Sequence, residues 1–270
     1  MKYKIIFLQL TLMTLSLFAA PRLFAEEEIG GASPLWKLKS TAGFDRGTYG
    51  TDAATTDGTV SLKLARTFAR GALSVTLPFE VTHSSGQTTF VEGQPRKISQ
   101  TKKFAKPQTE KGLGDLAADG RLAVIEEALW YPTIALLGAV KFPTASESKG
   151  LGTGKFDGGG GLSVSHKFVK DGVLYVDTTY MVIGSPAGSK LNNEWTVDAG
   201  INYTFTDRVS SEMYYEQQTA LENGDAAPRR ISLAGIYQWT KMYSMSTTGQ
   251  AGLSSGAPAY GLDIGVSVAF

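Results

Sequence analysis

His83 and Ser85 are the pair of side chains whose types and spacing could support covalent catalysis. Two residues apart on an extended chain, they lie on the same face of a strand. An imidazole that accepts the proton of a serine hydroxyl creates a nucleophile for ester hydrolysis. Such chemistry also needs a third group that orients the imidazole and donors that stabilise the oxyanion. The sequence identifies neither, so a histidine at a strand end followed by loop serines is the competing interpretation.

The glycine-rich run 150–161 could be compared with a phosphate-binding loop. Lys155 is followed by Phe156, where such a loop has a Ser or Thr that binds the metal, and a strand rather than a helix is predicted to follow. The glycines at 158–161 instead predict a bend or a close approach of backbones within a sheet. The two histidines of the chain lie on different predicted strands and give no metal-ligand spacing. We therefore expect no metal and no cofactor.

The elements that position these residues are strands, because apolar and polar side chains alternate with a period of two along most of the chain. The connections are alternately short and long, and the longest is the basic segment 84–112. This alternation is typical of an outer-membrane barrel, with the short turns in the periplasm. The predicted fold class is all-β, a transmembrane antiparallel up-and-down β-barrel of about twelve strands. The predicted strands are 35–45, 57–67, 70–83, 113–125, 130–142, 156–169, 172–184, 192–206, 208–220, 228–240, 242–253 and 259–270.

The polar parity of these strands carries many charges, which is too polar for the packed core of a soluble protein. A hydrated lumen explains it better. The residues predicted to line that lumen are Lys37, Lys39, Lys63, Asp115, Asp119, Arg121, Lys141, Asp157, Lys167, Asp198 and Arg230.

The two ends of the chain carry targeting information. Lys2 and Lys4, an apolar run and Ala25 have the order of a secretory signal peptide. We therefore expect a signal peptide at 1–25 and a single barrel domain at 26–270. The last strand ends on Phe270, an aromatic residue in the position expected for recognition by the outer-membrane assembly machinery.

Composition excludes several classes of protein. Of the 26 Lys and Arg residues, three lie in the predicted signal peptide, which leaves 23 against 25 Asp and Glu. The small negative balance gives no argument for nucleic acid as a partner. Cysteine is absent, so disulfides and thiolate metal sites are excluded.

Short motifs between residues 112 and 168 resemble a known family. Gly112-Leu-Gly-Asp115, Lys141-Phe-Pro-Thr144 and Gly150-Leu-Gly-Thr-Gly154 followed by Asp157 are similar to the transporter family named for the MetA pathway of phenol degradation. The resemblance implies an outer-membrane barrel that passes small, hydrophobic or aromatic compounds. It supplies no binding residues, and the long basic insert at 84–112 departs from it.

The leading hypothesis is a channel or transporter in the cell outer membrane for the passive uptake of small molecules, and no enzyme. Its expected partners are outer-membrane lipids, lipopolysaccharide, the assembly machinery and a solute that the sequence does not identify. Two alternatives stay open. The first is an outer-membrane lipid hydrolase that uses His83 and Ser85, a pair similar to the His-x-Ser of outer-membrane phospholipase A and lipid A deacylases. The second is a structural barrel without transport.

Overall fold

The computed structural model describes residues 36–84, 88–91, 94–97, 108–128, 131–186 and 190–270. These residues form fifteen strands and one short 3-10 helix, Glu147–Lys149. The strands are β1 (Trp36–Gly47), β2 (Thr55–Phe68), β3 (Gly71–Ser84), β4 (Thr88–Val91), β5 (Gln94–Lys97), β6 (Gln108–Leu113), β7 (Leu116–Ile125), β8 (Thr133–Phe142), β9 (Asp157–Val169), β10 (Gly172–Val182), β11 (Glu194–Thr206), β12 (Val209–Gln218), β13 (Arg229–Gln238), β14 (Tyr243–Gly252) and β15 (Tyr260–Ala269).

Antiparallel pairing closes the main sheet into a barrel. β1 pairs with β2 on one side and with β15 on the other, β2 pairs with β3, and each strand from β7 to β14 pairs with the next one in the chain. β6 and β7 both pair with β3, β6 along residues 79–84 and β7 along residues 71–76. They therefore share one place in the wall, and the barrel has twelve strand positions. The predicted fold class and strand number are confirmed.

The connections alternate as predicted. Short turns follow β2, β9, β11 and β13, whereas the segments after β1, β8, β10, β12 and β14 are longer. In the turn between β11 and β12 the hydroxyl of Thr206 accepts hydrogen bonds from the backbone N–H groups of Arg208 and Val209, at 3.2 and 3.1 Å. Such side-chain caps favour tight turns. We call the two ends of the barrel the short-turn end and the long-loop end.

The prediction of a continuous loop at 84–112 was wrong in part. β4 and β5 form a separate two-stranded hairpin, and β6 continues the wall beside residues 79–84 of β3. The polar composition of the segment hid these strands, because none has the apolar face on which the period-two reading depends.

The two faces of the wall have the opposite distribution of apolar and charged side chains from that of a soluble protein. The outward face exposes large apolar side chains such as Leu73, Val176 and Leu233, whereas the inward face buries charged ones. An apolar outer surface of this extent requires an apolar environment. Among the described residues, no helix is long and apolar enough to cross a membrane.

Glycines in β9 allow close backbone contact, as the sequence predicts for 158–161. A Cβ atom at Gly159 would lie 2.0 Å from the carbonyl oxygen of Tyr180, and one at Gly161 would lie 1.9 Å from that of Thr178. Any larger residue would push β9 away from β10. The interpretation of this run as wall rather than phosphate loop is confirmed, since Gly158–Gly161 lie inside a strand.

Candidate functional site

The candidate site is the barrel interior, which side-chain alternation builds from every strand. Along β12 the buried residues are every second one from Ser210 to Gln218, and along β15 the pattern is the same from Gly261 to Ser267. Each strand therefore sends its polar parity inward. Because twelve strands contribute, charges distant in sequence meet around one axis.

Lys141 of β8 is at the centre of a buried ion cluster. Its ammonium lies 3.0 Å from Asp115 and 2.8 Å from Asp157, and the three side chains are at most 4% exposed. Asp115 also accepts the backbone N–H of Ala145 at 2.7 Å, and Asp157 accepts that of Gly184 at 2.6 Å. Two carboxylates thus share one ammonium and join the wall to the segments that follow β8 and β10.

The motifs that carry the family resemblance converge on this cluster. Asp115, Lys141 and Asp157 come from three separate motifs of the sequence. Thr144 of the second motif accepts the N–H of Leu116 at 2.8 Å and donates to the carbonyl of Gly114 at 3.1 Å. These hydrogen bonds pair polar backbone groups in the short segment between β6 and β7. The signature residues therefore stabilise the wall where its pairing is interrupted.

A second buried pair joins β12 and β13. The guanidinium of Arg230 contacts the carboxylate of Glu216, and these side chains are 7% and 2% exposed. Asp198 lies opposite Glu216 on β11, and Asp177 lies opposite Asp198 on β10. Asp177 is within electrostatic range of Arg121 on β7. Charged side chains of both signs therefore lie across the inner face of the wall, from β7 to β13.

The other residues predicted to line the lumen lie closer to the short turns. Lys63 is 3.5 Å from Asp119, with 28% and 22% exposure, and Asp119 accepts the hydroxyl of Ser74 at 2.7 Å. Lys39 lies directly opposite Lys63, and Lys37 lies opposite Ala65, two positions nearer the turn. Lys167 lies on the inward parity of β9, and its backbone N–H donates to Glu127 at 2.7 Å. These lysines do not join the buried clusters of Lys141 and Arg230.

The interior therefore has two halves of different charge. The short-turn half holds four lysines, Lys37, Lys39, Lys63 and Lys167, and two carboxylates, Asp119 and Glu212. Arg121 and Asp177 lie between the halves. Among the described residues, the long-loop half holds two cations, Lys141 and Arg230, and ten carboxylates: Asp45, Asp57, Glu80, Glu110, Asp115, Asp157, Glu194, Asp198, Glu216 and Asp263.

Sequence reasoning missed most of these carboxylates. Asp45 shares the parity of Lys37 and Lys39 on β1, and Glu216 shares the parity of Ser210 on β12. The signal that could have found them is the parity rule itself, applied to acidic and basic residues alike. Among the described residues, no group of three or more His, Cys, Asp or Glu side chains is placed to hold a metal ion.

Tyr49 lies in the loop after β1, at the long-loop end of the interior. It has a positive φ of 50° and is 5% exposed, and its ring lies 3.1 Å from the position a Cβ would take on Gly47. Burial and the carboxylates of Asp57 and Asp45 raise the pKa of Tyr49 well above its usual value. The phenol is therefore neutral at physiological pH.

A cavity of about 240 Å³ adjoins this tyrosine. Three loops enclose it, those after β1, β12 and β14. The residues that line it include Tyr49, Leu221 and Asp225. Leu221 also belongs to an apolar cluster with Met181, Ile183 and Leu191 at the same end of the barrel.

His83 points outward from β3, and its Nδ1 atom is 2.8 Å from the hydroxyl oxygen of Thr109. Ser85 lies outside the described residues. The hydrolase hypothesis therefore stays a prediction. His166 also faces outward, and its Nδ1 is 3.0 Å from a carboxylate oxygen of Glu127.

Comparison with solved structures places the fold among outer-membrane β-barrels. The COG4313 outer membrane channel from Pseudomonas putida F1 aligns with a TM-score of 0.71 and 10% identity, over 89% of this chain and 97% of that one. The NanC porin gives 0.56 and 10%, over 86% and 100%. The translocator domain of autotransporter NalP from Neisseria meningitidis gives 0.53 and 11%, over 91% of each chain. At such identities these similarities establish the fold alone.

The chain belongs to the family described as "Putative MetA-pathway of phenol degradation", whose sequence model matches residues 29–270. The resemblance inferred from the motifs is thereby confirmed. A search of curated proteins gave no match.

Proposed function

We propose that the protein is an outer-membrane channel for the passive uptake of small molecules. The observation that carries this proposal is the inverted wall, which exposes apolar side chains outside and places charged ones inside a closed barrel. A polar interior that runs between two sets of connections suits the passage of solutes across an apolar layer. The structural similarity to the COG4313 outer membrane channel and to the NanC porin supports it.

The solutes in this proposal are small molecules with hydrophobic or aromatic parts. The family description, which refers to phenol degradation, supports this class. Leu221 supports it too, because it gives the cavity at the long-loop end an apolar lining residue.

Eight of the eleven residues predicted from sequence as lumen-lining have one of two roles in this proposal. Lys37, Lys39, Lys63 and Lys167 face the pathway in the short-turn half. The buried ion pairs of Lys141 and Arg230 hold the wall in shape, and they contribute their net charge to the field inside it.

Export and assembly complete the proposal. The signal peptide at 1–25 directs the chain across the inner membrane of a Gram-negative cell, and assembly machinery inserts the domain at 26–270 into the outer membrane. There its outward face contacts lipid and lipopolysaccharide. Amino-terminal sequencing of the protein from outer-membrane fractions should begin at Glu26, and a chain that retains Met1 would contradict the cleavage.

Reconstitution tests the transport function. The purified barrel, inserted into planar bilayers, should give discrete conductance steps, and in liposomes it should pass small aromatic solutes faster than protein-free liposomes do. A folded barrel that gives neither conductance nor solute flux would overturn the proposal. Folding is checked separately by the slower electrophoretic migration of a boiled sample compared with an unboiled one.

A further inference from the structure

We propose that the long-loop half of the interior, with the cavity beside Tyr49 as its outer subsite, binds small organic cations and makes the channel cation-selective. This inference rests on the proposed channel function and assigns the charge class of its solute. Three observations support it independently, namely the charge balance of the buried residues, the lining of the cavity and the place of Tyr49 between the two.

The charge balance is the first observation. The buried residues of the described part include ten carboxylates and two basic side chains, Lys141 and Arg230. The carboxylates are Asp45, Asp57, Asp115, Asp157, Asp177, Glu194, Asp198, Glu212, Glu216 and Asp263. Even with both cations paired, the wall keeps a negative excess. Fixed charge of one sign on a narrow, weakly polarisable wall concentrates mobile ions of the opposite sign.

Acidic side chains are concentrated close to Tyr49. Asp45 on β1 lies directly opposite Asp57 on β2. Gln250 of β14 donates to Asp45, and Asp263 faces inward from β15, on the other side of β1. Arg230 is within electrostatic range of Asp45. Three neighbouring strands thus present three carboxylates to the same part of the interior.

The cavity is the second observation. Its volume of about 240 Å³ suits a molecule of one aromatic ring and a short chain. An aromatic ring and a carboxylate in one wall are the groups that recognise an organic ammonium, through cation–π and charge interactions. Tyr49 and Asp225 supply them here, and none of the described residues that line the cavity is a Lys or Arg. Leu221 and Pro228 provide apolar contact for the rest of such a molecule.

Tyr49 connects the cavity with the interior. The same side chain lines the cavity and lies in the field of Asp57 and Asp45. A cation that leaves the cavity past Tyr49 therefore meets the carboxylate group of β1 and β2 next. The arrangement offers a solute two negative sites in series, which favours entry without holding the solute at a single deep site.

The reversal potential of the reconstituted wild-type channel in a KCl gradient tests the charge class directly. We expect K⁺ to be several times more permeant than Cl⁻. The variant Asp45→Asn/Asp57→Asn should lose a large part of that preference, whereas Asp207→Asn, in the turn between β11 and β12, should keep it. A conducting channel that is unselective or prefers Cl⁻ overturns the inference and leaves the channel function intact. A folded barrel without conductance overturns both.

Current block tests the cavity. Benzylammonium added on the long-loop side should reduce the K⁺ current at lower concentration than benzyl alcohol does, and benzoate should have no such effect. Tyr49→Ala should weaken the block severalfold, while Tyr131→Ala, which removes a 70% exposed tyrosine at the short-turn end, should leave it unchanged. Equal block by benzylammonium in wild type and Tyr49→Ala would remove the cavity from the proposal.

Discussion

The two halves of the barrel interior differ in charge and in how their charges are held. In the long-loop half, Lys141 is 1% exposed and lies between two carboxylates, and Arg230 is paired with buried Glu216. In the short-turn half, Lys63 pairs with Asp119 at 3.5 Å with about a quarter of each side chain exposed. The same residue types thus serve different purposes. Buried ion pairs stabilise the wall, and we propose that the charges outside these pairs act on the solute.

The largest expected effect comes from removing a buried cation. Lys141→Met leaves Asp115 and Asp157 buried without their shared ammonium, and loss of one partner of a buried pair costs about 3–5 kcal/mol. Lys63→Met, in the short-turn half, should cost about 0–1 kcal/mol because its pair is partly solvated. Unfolding in urea of barrels refolded into lipid vesicles measures the difference. Similar midpoints for the two variants would remove the distinction between the halves.

A rescue variant separates charge from packing. Lys141→Met combined with Asp115→Asn and Asp157→Asn removes all three charges and leaves a neutral site of similar size. It should recover part of the lost stability, because the uncompensated carboxylates are the main cost. If it is no more stable than Lys141→Met alone, the loss arises from packing around the lysine side chain.

The sequence was sufficient to predict the strands of the wall but not the ion clusters inside the barrel. Alternation of apolar residues such as Leu262, Ile264 and Val266 predicted β15 and the direction of each of its side chains. The parity rule reports direction only, so it placed Lys141 and Lys63 together as lumen residues. Their different roles depend on the register between strands and on the turn of the chain after β8, which brings Thr153 within 3.5 Å of Lys141. Long-range contacts of this kind leave no local pattern.

The cavity beside Tyr49 could not be predicted either. It forms where three loops meet, and loop conformation depends on positive φ angles at Tyr49, Gly50 and Gly224. Glycine permits such angles but does not require them. The tyrosine gave no sequence signal, because residues of its type rarely adopt this conformation.

The two ends of the closing strand give the next comparison. Phe270 exchanges backbone hydrogen bonds with Trp36 at 3.0 and 2.9 Å at the short-turn end of the seam, whereas Tyr260 packs edge-on against Phe44, with ring centroids 6.2 Å apart, at the long-loop end. Deleting Phe270 removes backbone bonds and the predicted recognition residue. We expect a severalfold loss of folded protein in the outer membrane, measured by heat-modifiable migration in cell fractions.

Tyr260→Ala serves as the matched control for this deletion. It removes an aromatic side chain from the same strand but keeps the backbone pairing of β1 and β15, so membrane levels should stay close to wild type. A normal level after deletion of Phe270 would show that the terminal residue is dispensable for assembly.

The lysines of the short-turn half give the third comparison, which is between the two ends of the pore. A pore that is negative at one end and positive at the other passes current more easily in one direction, because ions accumulate or deplete with the sign of the voltage. Lys39→Gln/Lys63→Gln should reduce this asymmetry and raise the preference for K⁺ moderately. Current–voltage curves in symmetric KCl measure it. Unchanged rectification would mean that these lysines do not face the ion path.

The smallest expected effect concerns the outward aromatic residues at the two ends. Tyr180 on β10 and Trp195 on β11 lie opposite each other with ring centroids 4.9 Å apart, so their contact joins two strands at the long-loop end. Tyr203 and Phe205, 5.0 Å apart near the short turns, belong to the same strand. Trp195→Leu should therefore lower the free energy of unfolding by about 1 kcal/mol, which is within the range for aromatic pairs.

Phe205→Leu should cost less than Trp195→Leu, because neighbours on one strand are already close in the unfolded chain and their contact adds little to strand pairing. Urea titration of both variants in the same vesicles compares them. If Phe205→Leu is the more destabilising change, its contact with lipid outweighs its contact with Tyr203, and the short-turn end depends on membrane anchoring more than on contacts between strands.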